Sequence, residues 1–310
     1  MLRLGRLDTL PSNIDAFIDE NAAGMAALYG PQAAAAYRLT ARKAIHRAIA
    51  HPAVDAVAVA DGPDTAGLAL AMVRGDVGRL SFVHVLARYA DRGVEQRLVE
   101  EVVRTLRAGG VAGIVSEYVP FCRLNLEDTY AELGFVPVKR RLMGAELNAP
   151  PLGASARSES RACNEAGARE LGAVIADAYV DHPGRLLHAE VRDIDSATEF
   201  VQSVFEGAFG RVRPGYIRAI ERDGAAAAMI AGCEVAPEVG FVLQVAVKQD
   251  WQGQGLGSAL VRELGGRFRE AGLARMALGV TASSPAVSLY ARLGFETIRP
   301  VTAYAWWRDA

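Results

Sequence analysis

Val245-Ala-Val-Lys-Gln-Asp-Trp-Gln252-Gly253-Gln254-Gly255-Leu256-Gly257-Ser258-Ala-Leu-Val-Arg262 runs from an apolar strand pattern, through a glycine-rich turn, into an amphipathic helix pattern. Apolar residues recur at Leu260, Val261, Leu264 and Phe268, the helical period. Gly272 ends the run. Such a turn aims backbone N–H groups and the positive end of a helix dipole at one point. That point suits an anion, a pyrophosphate above all. Each of Gly253, Gly255 and Gly257 would cost about 1 kcal/mol inside a helix relative to alanine. Close approach of a ligand to the backbone is the physical reason to keep them.

Two familiar phosphate loops fit poorly. The P-loop pattern G-x-x-x-x-G-K-S/T is not matched, and no lysine follows the glycines. A dinucleotide loop would use Gly253 and Gly255, but Ser258 stands at its third glycine position. The next strand, Arg275-Met-Ala-Leu-Gly-Val280, offers no acid for a ribose, and the chain beyond is too short for a doubly wound sheet.

Gln252, Gly255 and Gly257 fall on the fixed positions of Q/R-x-x-G-x-G/A. Further on comes Ser283-Ser-Pro-Ala286-Val-Ser-Leu289-Tyr290-Ala-Arg-Leu-Gly294-Phe295. Together these resemble the acyl-CoA loop and the following N-x-x-A-x-x-L-Y-x-x-x-G-F segment of the GNAT (Gcn5-related N-acetyltransferase) superfamily. The resemblance covers most of 160–305 and, more weakly, about 54–146.

The weaker part is an internal repeat. Tyr130-Ala-Glu-Leu-Gly-Phe135 recurs as Tyr290-Ala-Arg-Leu-Gly-Phe295, and Phe82-Val-His-Val85 matches Gln244-Val-Ala-Val247. Gly93 falls on Gly255, and Leu98-Val99 on Leu260-Val261. The Pro- and Ser-rich stretch at 148–160 reads as a linker. The expected domains are therefore 1–147, a degenerate GNAT-like copy, and 161–310, the catalytic one. The expected fold class is α/β (α+β), each domain a mixed, mostly antiparallel sheet flanked by helices.

The pattern predicts helices over about 13–30, 32–50, 164–180 and 196–209. Strands are expected at Gly215-Tyr-Ile-Arg-Ala-Ile-Glu221, Ala225 to Cys233, Val239 to Val247, Arg275 to Val280 and Glu296 to Trp307. The alanine-heavy run from 225 could pass for a helix. Its brackets Asp223-Gly224 and Ala236-Pro237 favour a strand in a hairpin.

Composition excludes other classes. The chain has 310 residues, 51% hydrophobic and 23% charged, with formal net charge −2. No basic field draws it to nucleic acid or a membrane surface, and no apolar run is long enough to span one. Cys122, Cys163 and Cys233 are scattered and odd in number, which argues against a disulfide framework and for a reducing cytoplasm. The five histidines show no metal-ligand spacing, so no metal is expected.

The resemblance implies acetyl-CoA as co-substrate and a primary amine on a small molecule or peptide as acceptor, in a monomer or homodimer. It implies that Gln252, Gly253, Gln254, Gly255, Leu256, Gly257 and Ser258 cradle the pyrophosphate. It further implies that Val245, Ala246 and Val247 lie along the pantetheine arm like an added strand. Ser283 replaces the family's usual Asn on that arm, and Arg262 or Arg292 meets the 3′-phosphate. Tyr290 protonates the departing thiolate. The strand Phe241 to Val247 carries no acid, so the base is sought in Glu234 and Glu238, in Asp181 or His182, or in a water chain. The segment from Tyr179 to Glu190 is expected to line the acceptor pocket. In the first copy Ala90 and Glu95 replace the loop's Gln and second Gly, which repels a pyrophosphate. A non-catalytic acyl-CoA-binding sensor, or an interaction module, is the alternative.

Overall fold

The computed structural model describes residues 2–117, 124, 126–149, 152 and 160–308. Most of the expected linker at 148–160, and Cys122, lie outside the described residues. Two compact units form: Met1–Val138 with Thr302–Ala310, and Lys139–Val301. The sequence boundaries at 147 and 161 thus differ from the observed division. The strand after each Tyr-x-x-x-Gly-Phe segment passes out of its own copy, at 138/139 in the first and at 301/302 in the second.

The first unit runs β1 (Leu2–Arg6), α1 (Ile14–Tyr29), α2 (Pro31–Ile49), β2 (Val54–Asp61), β3 (Asp64–Arg74), β4 (Val77–Val85), α3 (Val94–Ala108), β5 (Gly113–Ser116) and α4 (Glu127–Glu132). The chain then leaves it along β6 (Val136–Glu146). The second unit continues with β7 (Arg161–Ala162), α5 (Ala168–Ala178), α6 (Ile194–Phe205), β8 (Ile217–Arg222), β9 (Ala225–Ala236), β10 (Val239–Val247), α7 (Leu256–Glu270), β11 (Arg275–Thr281) and α8 (Ala286–Arg292). The last strand is β12 (Glu296–Trp307). Helix α5 begins later than expected, because Glu165–Gly167 forms a 3-10 turn.

Strand order in the first unit is β1-β2-β3-β4-β5, then the 302–307 part of β12. In the second it is β6-β11-β10-β9-β8-β7. The recorded neighbours within each unit are antiparallel except β4 with β5 and β10 with β11. The expected mixed, mostly antiparallel sheet with flanking helices is what forms.

The repeat is legible in the register. In β3–β4, Leu70 pairs with Phe82 but Ala71 with Leu80, leaving Ser81 as an extra residue. In β9–β10, Gly232 pairs with Val242 but Ala231 with Gln244, leaving Leu243 extra. Each bulge bends the strand that leads to a glycine turn.

Helix α7 buries Leu260, Val261, Leu264 and Phe268 completely. Each such side chain contributes about 1.5–3 kcal/mol of transfer free energy. They pack on Ala227, Ala228 and Ile230 of β9, while α5 and α6 cover Ala226, Met229 and Ala231. Alanines along β9 thus let helices approach from both faces. Gly240 serves the same end: a Cβ there would stand 2.2 Å from Phe268 Cδ2.

Candidate functional site

The glycine turn closes onto α7 through Gly255, whose φ of +82° only glycine adopts without strain. No side chain caps this helix. Its first ladder bond is Ala259 N to Gly255 O at 3.0 Å, so the amides of Leu256, Gly257 and Ser258 have no partner within the helix. A Cβ on Gly257 would meet only Val247, Val245 and Leu289 at 3.7–3.9 Å, ordinary contact. Among the described residues nothing therefore demands glycine at 257. What a side chain would fill is the approach to the amides.

Before the turn the sheet opens. Strand β10 pairs with β11 only from Val239/Arg275 to Val242/Leu278. Beyond the Leu243 bulge it keeps β9 alone, through Val247. The diverging strands leave a cleft of about 400 Å³, lined by Val245, Ala246 and Val247, by Trp251 to Ser258 apart from Gln254, and by Ser284, Leu289, Tyr290 and Arg292. Gln252 amide nitrogen donates to Val247 O at 3.1 Å, tying the turn to the strand. Asp177 Oδ1 accepts from Gln249 N at 2.7 Å, which ties the end of α5 to the same turn.

Tyr290 stands on α8 with its ring edge-on to Phe295, centroids 5.7 Å apart. Burial holds its phenol well above the usual tyrosine pKa, so it is protonated at neutral pH. Its hydroxyl has no hydrogen-bond partner among the described residues. Tyr290 lines both the cleft and a second, smaller cavity of about 70 Å³.

That cavity is bounded by Arg140, Tyr179, His182, His188, Gln244, Thr281 and Ser284, among others. Tyr179 hydroxyl donates to Gln244 Oε1 at 3.0 Å and fixes the bulged strand. Gly184 N donates to His182 Nδ1 at 3.0 Å, so the ring proton sits on Nε2, facing Ser284 Oγ at 3.4 Å. Burial first, then the fields of His188 and Arg140, hold the His182 pKa below its ordinary value, and the ring is neutral at pH 7. Ser284 Oγ also accepts from Ala286 N at 3.2 Å. With both lone pairs engaged, the Ser284 hydroxyl is left as a donor.

The structure therefore gathers Val245, Ala246, Val247, Gln252, Gly253, Gly255, Leu256, Gly257, Ser258 and Tyr290 around one cleft. Gln254 belongs to the turn but is absent from the cleft wall, its amide directed to Asp250 O at 3.5 Å. Ser283 is exposed and outside the wall; buried Ser284 takes that place. Arg292 lines the cleft and Arg262 does not.

Glu234 and Glu238 are not brought to the cleft. Glu238 sits in the β9–β10 hairpin at φ +64°. The whole of β10, roughly 30 Å, separates it from the glycine turn. Glu234 is engaged elsewhere, ion-paired to Arg213 and accepting from Tyr216 at 2.9 Å. Burial opposes its charge, but these bonds prevail and its pKa lies below the ordinary carboxylate value. Asp181 is exposed and lines neither cavity. Sequence reasoning missed Arg140, Gln244 and Thr281. Arg140 was hidden because its strand was assigned to the other domain.

The first unit keeps the turn and changes its contents. Gly93, at φ +67°, caps α3 as Gly255 caps α7. Where α7 has Gly257, α3 has Glu95, whose side chain is buried with Oε2 lacking a hydrogen-bond partner. Tyr130, the counterpart of Tyr290, is 1% exposed, and its hydroxyl bonds Ser116 Oγ at 2.7 Å. That phenol is part of a core.

Residues 183–295 match the model of the acetyltransferase (GNAT) family. No curated protein matches the chain in sequence. Among solved structures, a GCN5-related N-acetyltransferase from Sphaerobacter thermophilus aligns over 99% of this chain and 95% of its own, at TM-score 0.65 and 17% identity. A tandem GNAT protein from the clavulanic acid biosynthesis pathway covers 99% and 98%, at TM-score 0.58 and 16% identity. A glucosamine N-acetyltransferase region of a fungal multi-domain β-N-acetylglucosaminidase covers 99% and 38%, at TM-score 0.64 and 14% identity. Among the described residues no helix is long and apolar enough to cross a membrane. None of their His, Cys, Asp and Glu form a group of three suited to a metal. Residues 183–295 match the GNAT family, in a chain that shares its fold with a GCN5-related N-acetyltransferase and a tandem GNAT protein.

Proposed function

We propose that the second unit transfers an acetyl or other acyl group from its CoA thioester to a primary amine. The observation that carries this reading is the uncapped N-terminus of α7, opening on the cleft beside a glycine whose missing Cβ none of the other described residues requires. The amides of Leu256, Gly257 and Ser258 offer donors and dipole to the pyrophosphate. The unpaired edge of Val245–Val247 offers the pantetheine arm a strand to pair with, and Ser284 offers it a donor. Arg292 is the cleft arginine placed for the 3′-phosphate.

Bound acyl-CoA supplies an activated carbonyl. The amine nitrogen forms the new C–N bond, and the C–S bond breaks. Tyr290, protonated and without a partner, gives its proton to the departing sulfur and regains one from solvent. The amine's proton leaves through the polar cavity to water, since no carboxylate lines cleft or cavity among the described residues. In the first unit, Glu95 stands where the pyrophosphate would approach, so that unit is assigned no CoA site and a structural role.

Titration calorimetry with acetyl-CoA tests the reading. One site per chain is expected. Gly257→Glu should abolish it with the fold intact by circular dichroism. Unchanged affinity in that variant removes the loop assignment. Binding without thiol release over a broad amine panel favours the sensor.

A further inference from the structure

We propose that the acceptor of the second unit is a weakly basic amine, of the α-amino, amino-sugar or arylamine class, which reaches the thioester already neutral and is not deprotonated by the protein. The proposal deepens the acyl-transfer reading and rests on it.

The nitrogen that forms the new C–N bond must bring a lone pair. An ammonium has none and has first to surrender a proton to a base. Six ionisable side chains stand in the walls of cleft and cavity: Arg140, Tyr179, His182, His188, Tyr290 and Arg292. None of them is free to take that proton. The two arginines stay charged and only donate. Tyr290 is held as a phenol by burial and gives its proton to sulfur. Tyr179 hydroxyl is a donor, to Gln244 Oε1 at 3.0 Å.

The histidines are the ordinary candidates for a base, and each has its lone pair spent. His182 Nδ1 accepts from Gly184 N at 3.0 Å. A neutral ring holds one proton, so that proton sits on Nε2 and no second lone pair is left. The loop is packed around this bond. A Cβ at Gly184 would come within 2.9 Å of Thr281 Oγ1 and 3.0 Å of His182 Nδ1. To act as a base through Nε2, the ring would have to set an Nδ1–H against the Gly184 N–H. His188 is engaged in the same way. Its Nε2 accepts from Arg140 Nη1 at 2.9 Å, and its Nδ1–H faces Glu190 Oε1 at 2.9 Å.

Among the described residues neither wall holds an Asp or Glu. Asp177 accepts from Gln249 N, Asp181 is exposed and Glu190 meets His188, all three outside both walls. The side-chain oxygens there are also poor hosts for an ammonium. Gln244 Oε1 already accepts from Tyr179, and Ser284 Oγ faces His182 Nε2–H and Ala286 N at 3.4 and 3.2 Å.

A neutral amine needs no such base. Its lone pair forms the C–N bond, and the nitrogen then becomes acidic enough to pass its extra proton to water. The C–S bond breaks with its electron pair on sulfur, which takes the Tyr290 proton. An α-amine has a pKa of about 7.7–8 and a lysine-type amine about 10.4. At pH 7.5 about one in three of the first is neutral, and about one in a thousand of the second. A site without a base inherits that difference of about 300-fold, less what the stronger nucleophilicity of the basic amine restores.

The full-length protein at saturating acetyl-CoA is assayed by thiol release between pH 6 and 10, with the uncatalysed rate subtracted. The acceptors are glycinamide, galactosamine and aniline, against propylamine and Nα-acetyl-lysinamide. At least one weak amine should turn over, with kcat/KM at pH 7.5 about tenfold or more above the alkylamines. The acid limb of each kcat/KM profile should follow the acceptor's own pKa. It should be level for aniline, centred at about pH 8 for glycinamide, and still climbing at about pH 10 for Nα-acetyl-lysinamide. His182→Gln, folded by circular dichroism, should leave each limb in place whatever it does to the rate. The wild-type profiles decide by themselves should that variant not fold.

A limb at one pH for every acceptor marks a base on the protein and overturns the proposal. So does a limb that moves in folded His182→Gln, or a preference for the alkylamines. Turnover of none of the weak amines by protein that binds acetyl-CoA overturns it too. Failure of acetyl-CoA to bind in calorimetry is a separate result, which sinks the acyl-transfer reading itself.

Discussion

Tyr130 and Tyr290 carry the same sequence motif and differ in what their hydroxyls touch. One is locked to Ser116 at 2.7 Å in a core; the other faces a cleft. Only the second can give a proton to a ligand. Its raised pKa fixes the sign of the pH effect: desolvation penalises the phenolate, so the phenol stays protonated past pH 10. Turnover should therefore show no alkaline loss from Tyr290 below pH 10. Tyr290→Phe should lower kcat on the order of 100-fold, the usual worth of a general acid. Acetyl-CoA affinity by calorimetry should stay within about twofold. A kcat near that of wild type in this variant removes the proton-donor role. Such a distinction between two tyrosines was not legible in the sequence, where both sit in Tyr-Ala-x-Leu-Gly-Phe. It depends on Ser116, which lies on β5, away from the motif and its helix. Ser283 and Ser284 give the same lesson: adjacent and chemically alike, they are separated only by which way the turn before α8 faces.

Elements were far more legible than residues, because an element is written by a period and a few stop signals. Helix α7 follows from Leu260, Val261, Leu264 and Phe268, and β9 from its bracketing turns despite its alanines. The placement of Glu234 and Glu238 was not legible. Flanking a strand in sequence says nothing of which end meets the ligand, and both acids lie toward the hairpin end of β10. Close packing was also partly written. Gly78 and Gly240 occupy matching places in the two copies, under Leu106 and Phe268 respectively. Gly240→Ala would set a Cβ 2.2 Å from Phe268. Overpacking of this kind costs about 1–3 kcal/mol. We expect a lower Tm in thermal melts with acetyl-CoA affinity preserved at 25 °C, since the glycine turn lies at the other end of β10. An unshifted Tm would mean that Phe268 moves aside freely, contrary to its complete burial.

At the scale of the whole molecule, the repeat was visible but the path of the chain was not. Linker composition suggested a cut at 148–160, whereas the compact units divide at 138/139 and 301/302. Strand signals report that a segment is extended, not which sheet accepts it, and the two copies are similar enough for either to serve. The consequence is that the first unit needs the last residues of the chain. There Tyr304 to Trp307 pair with Ser116 to Gly113 on β5. Tyr304 stacks on Tyr130 with centroids 4.0 Å apart, and Arg107 lies 4.4 Å over the Trp306 ring. Trp307 covers Gly113, where a Cβ would fall within 2.3 Å of the indole. A chain ended at Val301 loses all of these and leaves the β5 edge unpaired, while every residue of the second unit remains. Hydrogen exchange followed by mass spectrometry should show protection lost first in β5, α3 and α4. Peptides from β9, β10 and α7 should keep theirs, and acetyl-CoA should still protect the glycine turn. Uniform loss across both units would show instead that they unfold as one. Unchanged protection in β5 would show that the terminal strand contributes nothing to the unit it completes.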